Sequence, residues 1–424
     1  MTAADKASRD AAPTNVVLYF HVHQPFRLRR DYSFFDIGRR STYFDDALNA
    51  KIVRRVAERC YVPMTDVLRR GVERTGGRFR VALSITGTLL DQWERWAPDA
   101  LDAFRALVAT GGVELVAETS HHSLASESNL REFREQVRAH AARLERTFGV
   151  APRSFRNTEL VFDDRTARAA ESLGFRAILA EGAARLLRKR STYAVHRPLG
   201  CRKIGVLTRS YRHSDDIAFR FADRAWHGNP LTATEFARDL AAVPRDAKVI
   251  GLFMDFETAG EHQAASSGIL DFFAQMPEAV LATDRLTFAT PSEAVRDHPP
   301  TGVVRASKPV SWADQERDLS AWLGNDMQRS AHEALYDVLP AVRRTGRSDL
   351  LRSWRRLSTS DHVYYMCTKH FSDGDVHKYF SPYDAPHTAF VAFMNALDDL
   401  RRRTVAGPSK RKRRPRRATV EPVA

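Results

Sequence analysis

Cysteine is scarce. Cys60, Cys201 and Cys367 are three in 424 residues, far apart and odd in number. That pattern excludes a disulfide framework and a zinc-binding cysteine pair, and it points to a reducing compartment. Long apolar runs are missing too. None approaches the roughly 18 to 20 residues that cross a bilayer. The first residues, MTAADKASRDAAPTN, are small, polar and partly acidic. They lack the basic-then-apolar layout of a signal peptide. The expected location is therefore the cytoplasm. No internal repeat is visible.

What is present is enough for a large core. The chain is 43% hydrophobic, and its length allows one large domain with a smaller one beside it. The formal charge of +14 is concentrated at one end. Residues 401–424 hold ten Lys or Arg against one Glu, so they supply +9 of it. Such a tail suits a polyanion, or a solvated end broken by Gly407, Pro408 and Pro415. No aromatic residue interrupts the run, so any nucleic-acid contact would be to phosphate.

Short apolar runs alternate with helical patterns. VVLYF (16–20), Arg80 to Ile85, Val113 to Ala117, Ser154-Phe155, Ala177 to Leu179 and KVIGLFM (248–254) read as buried strands. Leu48, Ile52, Val56 and Cys60 recur every four residues within a helical stretch from 45 to 75, and Pro63 is expected to open a second helix there. Further helices are expected to about Ala109, over 130–148, after Asp163 or Asp164, and from Thr232 or Thr234 to Val243. With about seven strand candidates before residue 290, the pattern predicts an α/β fold with a closed parallel barrel, its active site at the carboxyl ends of the strands. After Pro299-Pro300 the pattern becomes helical, over 326–346, 349–366 and 386–403. The expected division is an N-terminal segment 1–14, a barrel 15–298, a helical domain 299–404 closing the cleft, and a disordered basic tail 405–424.

Carboxylates at strand ends carry the chemical signal. FRNTELVF places Glu159, and LFMDFETAGEH places Asp255 and Glu257. Cleaving an acetal needs one group to attack or stabilise and another to donate a proton. Asp255 and Glu257 alternate, and like charges in a dry site raise one pKa, which suits a general acid. HVHQP sets His21 and His23 on one side of a strand end, suited to a metal or to sugar hydroxyls. GGVELVAETSHHSLA adds Glu114, Glu118, His121 and His122. Trp226, Trp312, Trp322, Tyr364 and Tyr365 offer flat faces for sugar rings or packing for a core. If Trp312 or Asp314 lines the cleft, the helical part closes over the barrel.

Five ordered segments carry a resemblance. They are His23-Gln24-Pro25, Gly112-Val113-Glu114, Phe155 to Phe162 around Glu159, Phe253 to Gly260 around Asp255, and Ser360-Asp361-His362 with Tyr364-Tyr365. They resemble the motifs of glycoside hydrolase family 57, in its α-amylase-like branch, over residues 15 to 400. The resemblance implies an incomplete (β/α)7 barrel followed by a C-terminal helical bundle. It implies retaining chemistry on α-glucans or maltooligosaccharides, by hydrolysis or transfer, without a catalytic metal. Glu159 matches the nucleophile and Asp255 the acid/base. His21, His23, Glu114, Glu257 and Asp361 match residues lining the substrate site, and Trp312 joins them as a candidate. Two positions depart. Some members carry Trp where this chain has Arg156, and some carry an aromatic where it has Gly260-Glu261-His262.

Two other readings stay open. One is a metal-dependent carbohydrate deacylase using His21, His23, Asp255 and His121. The other is a degenerate glucan-binding protein.

Overall fold

A computed structural model describes residues 12–39, 42–369 and 381–405. Most of both terminal segments, 1–11 and 406–424, lies outside the described residues. Among the described residues there are ten strands: β1 (Thr14–Val22), β2 (Val81–Ile85), β3 (Val113–Ala117), β4 (Ser154–Arg156), β5 (Ala177–Glu181), β6 (Arg197–Pro198), β7 (Gly205–Arg209), β8 (Val249–Asp255), β9 (Leu286–Phe288) and β10 (Val303–Val304). β1, β2, β3, β4, β5, β7 and β8 pair in parallel, and β1 meets β2, so seven strands close into a barrel. β9 occupies only the first part of β1, opposite Thr14 to Val16, below the stretch that pairs with β2. β6 and β10 form a separate two-stranded pair. The expected fold class is the observed one.

The barrel interior is layered by the alternation of strand side chains. Val17, Tyr19, Ala82, Val116, Leu179, Leu207, Val249 and Phe253 form an apolar filling. The same alternation continues upward into polar residues. His21 lies beside Ser84 and Asp255 in register, Arg156 beside Leu179, and Glu181 beside Arg209. A packed apolar plug thus carries a polar layer at the carboxyl ends of the strands.

Two expectations about helices change. The stretch 46–74 does not restart at Pro63. Asp46–Val56 runs through a π-helical turn, Ala57–Tyr61, into Val62–Arg74. Pro63 has no N–H, and its ring crowds the carbonyl four residues back, so the chain widens locally. The expected helix 349–366 is broken into Ser348–Leu357 and Asp361–Tyr364. The break follows a bridge between Thr359 and Ser123, and Ser360 N–H donates to the His122 carbonyl at 2.9 Å. Leu130–Phe148 matches its expected span, and Asp163 caps the next helix by accepting from Thr166 N–H. The helices Asp326–Arg344, Ser348–Leu357 and Pro386–Val405 share a second apolar core with Trp322 and Trp354. Trp226 lies elsewhere, in the linker before the barrel helix Ala233–Ala241.

Candidate active site

Five side chains stand half-buried at the top of the barrel: His23, Glu159, Asp255, Trp312 and Asp361. Beneath them His21, Glu118, His122, Arg156 and Glu257 are buried. The first set is open to a ligand, and the second holds it in place.

Glu159 follows β4 in a short 3-10 turn, Thr158–Leu160. Its backbone is left-handed, with φ 57° and ψ 30°. Non-glycine residues rarely adopt this conformation, and functional sites concentrate such strain. His122, Leu160, Asp314 and Arg317 share it. His122 Nε2 lies 2.8 Å from Glu159 Oε1, and Trp312 Nε1–H donates to Oε2 at 2.6 Å. Burial alone would raise the Glu159 pKa. The His122 hydrogen bond and charge, Arg156 and the Trp312 bond outweigh it and hold the carboxyl at about 2.

Asp255 ends β8 and makes no side-chain hydrogen bond among the described residues. Burial and the Glu159 charge push it up to about 7, against Arg156, His122 and Arg209. Two neighbouring carboxyls are thus driven apart, one anionic and one able to keep a proton. Glu257, in the next turn, is raised to about 8 by burial and by Asp255. Its Oε1 accepts from Tyr61 Oη–H at 2.5 Å and from His23 N–H at 3.2 Å. His23 spans Thr86 and Asp361, with ring contacts of 2.9 and 3.0 Å. Asp361 is held below the usual carboxylate range, because the His23 charge and hydrogen bond and nearby His122 outweigh its burial.

Trp312 arrives on a strap clamped to the barrel. Arg317 Nη1 meets Glu181 Oε1 at 3.1 Å and its guanidinium covers the Tyr211 ring at 4.1 Å. Arg185 donates to the Pro309 carbonyl, and Lys369 pairs with Asp314 and Glu316.

Of the expected site residues, the structure brings together His21, His23, Glu159, Asp255, Glu257, Trp312 and Asp361. It does not bring Glu114 to them. Glu114 is the second residue of β3, four positions below Glu118, which at roughly 3.3 Å per residue is about 13 Å away along the strand. Its two oxygens accept from the Ser154 hydroxyl and from Ser292 N–H, at the start of the helix Pro291–Asp297. Glu118 takes the inward position at the top instead. Sequence reasoning named Glu118 among the strand-end candidates without choosing it for the site, and it marked Arg156 only as a departure. Their signal is the period-two alternation from Glu114 and Ser154.

Among the described residues one histidine group has the closeness a metal ion needs, and most of its nitrogens are already engaged. His21, His23 and His122 bring one nitrogen each within 4.8 Å of one another. Their rings lie nearly parallel, at 17° to 32°, so their in-plane lone pairs run alongside rather than converge. Five of the six nitrogens already face Ser84, Thr86, Asp361, Glu118 or Glu159. His121, which the deacylase reading needs, turns instead to the Ser120 hydroxyl at 2.8 Å.

The two departures also have physical places. Arg156 is wholly buried, 3.3 Å from Glu118 and 5.4 Å from the Trp312 ring. Gly260 has φ +110°, and a Cβ there would lie 2.1 Å from the Arg59 carbonyl, in the π-helical turn.

Comparison with known proteins agrees. The model of glycosyl hydrolase family 57 matches residues 17–307. A protein of Methanocaldococcus jannaschii, described as "Putative alpha-amylase", is 37% identical over 397 residues, covering 91% of this chain and 84% of that one. The chain belongs to glycosyl hydrolase family 57, and it is an enzyme of the glycoside-hydrolase type.

Solved structures share the fold. A 4-alpha-glucanotransferase from Thermococcus litoralis has a TM-score of 0.64 at 16% identity, over 83% of this chain and 56% of its own. The present chain thus spans just over half of that enzyme. A branching enzyme of the same family from Thermococcus kodakaraensis, in complex with glucose, has a TM-score of 0.64 at 13% identity, covering 91% and 89%. The alpha-amylase AmyC from Thermotoga maritima has a TM-score of 0.58 at 12% identity, covering 93% and 96%. No helix among the described residues is long and apolar enough to cross a membrane.

Proposed function

We propose that this protein cleaves or transfers α-glucosidic bonds with retention of configuration. Its substrates are α-glucans such as glycogen, or maltooligosaccharides. Glu159 attacks the anomeric carbon, and Asp255 gives its proton to the departing glycosidic oxygen. Water or a sugar hydroxyl then loses its proton to Asp255 and attacks the same carbon, and the bond to Glu159 breaks. The observation that carries this reading is the asymmetry of the pair. Glu159 has a donor on each oxygen and stays ionised, while Asp255, half-buried and without a side-chain hydrogen bond among the described residues, keeps a proton near neutrality.

His23, Asp361 and Trp312 border the same opening and suit sugar hydroxyls and a pyranose face. The helical region closes one side of the cleft by carrying Asp361 to His23. Cys60, Cys201 and Cys367 are all buried, and their scarcity in the sequence supports a reducing, cytoplasmic setting. The basic tail is proposed as a contact for a polyanion.

Product analysis tests the reading. The protein is incubated with maltoheptaose and with glycogen, beside a Glu159→Gln control. Shorter products alone mean hydrolysis. A ladder above and below the starting length means transfer. No change in either substrate contradicts the proposal.

A further inference from the structure

Three charged or ionisable side chains stand in a row behind Glu159. Arg156 Nη1 and His122 Nδ1 both meet Glu118 Oε2, at 3.3 and 3.1 Å, and His122 Nε2 meets Glu159 Oε1 at 2.8 Å. Glu118, His122 and Arg156 are buried to within 1%. Each nitrogen of His122 therefore faces a carboxylate oxygen, which can only accept. Arg156 Nη1 also lies 3.4 Å from His122 Nδ1, but Glu118 Oε2 is closer at 3.1 Å, so the doubly protonated ring is the form that satisfies both carboxylates.

The arrangement is held rigidly. Glu118 N–H donates to His140 Nδ1 at 3.0 Å, and His140 Nε2–H donates to the Ile85 carbonyl at 2.7 Å. Ser123 N–H donates to the Thr119 hydroxyl at 2.8 Å, and Ser360 caps the His122 carbonyl from the helical region. His122 keeps φ 51° within this frame.

We propose that Glu118 and His122 form a positioning relay acting on Glu159 from behind, which keeps a cation against that carboxylate through both halves of the reaction. The inference rests on Glu159 being the nucleophile. In the first half, the electron pair of Glu159 forms the new bond to the anomeric carbon. The pair of the broken glycosidic bond goes to the departing oxygen, which takes the Asp255 proton. Glu159 is then a neutral ester, and His122 would be left without an anion on that side. Glu118 still supplies one on the other. In the second half, a proton passes from water to Asp255, the water oxygen bonds to carbon, and the electron pair of the ester bond returns to Glu159. Negative charge grows on the oxygen that His122 faces, so the relay favours this step most. Arg156 balances Glu118, so the buried group carries no net charge when Asp255 is protonated.

The other groups facing His122 are few. His21 and His23 stack on it, at ring distances of 4.7 and 4.2 Å. Burial and the Arg156 charge push His21 down to about 3, and burial and His122 lower His23. Asp255 and Asp361 feel the His122 charge from the barrel and the helical region. Burial alone would lower His122, but its bonds to Glu118 and Glu159 raise it to about 9.

Glu118→Gln and His122→Asn test the relay, Asn being tolerant of the left-handed backbone. Thermal melting checks that each is folded, and Glu118→Asp, which keeps the charge, serves as the conservative variant. Two readouts are taken with α-maltosyl fluoride, whose good leaving group makes the second half limiting. In both neutral variants the acidic limb of kcat/KM is expected to rise by about 1 to 3 pH units. A burst of fluoride equal to the enzyme concentration is expected, with kcat and KM falling together. Glu118→Asp is expected to return the limb toward the wild-type position. Folded neutral variants with an unchanged limb and no burst would overturn the relay. A 5-fluoro glycosyl fluoride separates this from the underlying reading. Label on Glu159 of the wild-type protein upholds the nucleophile whatever the variants do, and label elsewhere or none removes both.

Discussion

Trp312 Nε1–H donates to Glu159 Oε2 at 2.6 Å, across 153 positions of sequence. The same strap residue donates its backbone N–H to the Glu159 carbonyl at 3.3 Å. A residue outside the barrel strands thus fixes the carboxylate in the turn that follows β4. The orientation of Glu159 depends on a segment joining the barrel to the helices.

Trp312→Phe keeps a ring and removes the donor. Charged hydrogen bonds contribute about 1.5 to 3 kcal/mol, and the half-exposed position of this one sets it at the low end. The Glu159 pKa is expected to rise and kcat at pH 7 to fall about tenfold. Steady-state kinetics on maltoheptaose check this, with the melting temperature as control.

Asp255 sets the basic limb. Its folded pKa is raised to about 7, so the protonated, proton-donating form is lost as pH rises through that value. kcat/KM is expected to fall above about pH 7. Asp255→Asn is expected to remove the limb and to cost about a hundredfold to ten-thousandfold on maltooligosaccharides. A pH–rate profile of both proteins gives the answer.

The strands most legible in the sequence are those whose residues are apolar on both faces. VVLYF and KVIGLFM became β1 and β8: β1 is longer than expected, running on through His21, and β8 is shifted by one residue so that it ends at Asp255. GVLTR, which is β7, gave no signal, since Thr208 and Arg209 belong to the polar layer above the plug. Three-residue β9 is too short for any periodicity. Glu159 and Asp255 were legible because each follows an apolar run. Glu118 and Arg156 were visible as residues but their pairing was hidden, since a buried charge is recognisable only beside its partner. The helix break at Ser358 to Ser360 was hidden because its cause, the His122 carbonyl, lies more than two hundred residues away.

Glu114 gives a contrasting prediction. Both its oxygens accept from Ser154 and Ser292, at the far end of β3 from the cleft. Glu114→Leu leaves the Ser154 hydroxyl and the Ser292 N–H without their acceptor. The expected cost is about 1 to 3 kcal/mol of stability, with kcat/KM within twofold of wild type. Denaturant titration and kinetics together would show the reverse if Glu114 touched substrate.

Gly260→Ala should disturb the turn after Asp255. The added Cβ meets the Arg59 carbonyl, and the φ of +110° disfavours any side chain. A lower melting temperature and a reduced kcat are expected, because the same turn follows Asp255 and Glu257. Differential scanning calorimetry and kinetics check both.

The most direct measurement is the anomeric configuration of the first product. Proton NMR follows maltoheptaose cleavage within minutes, before the new reducing ends equilibrate. Attack by Glu159 followed by water predicts that the α-anomer appears first. Initial appearance of the β-anomer would mean single displacement, and would contradict a covalent role for Glu159.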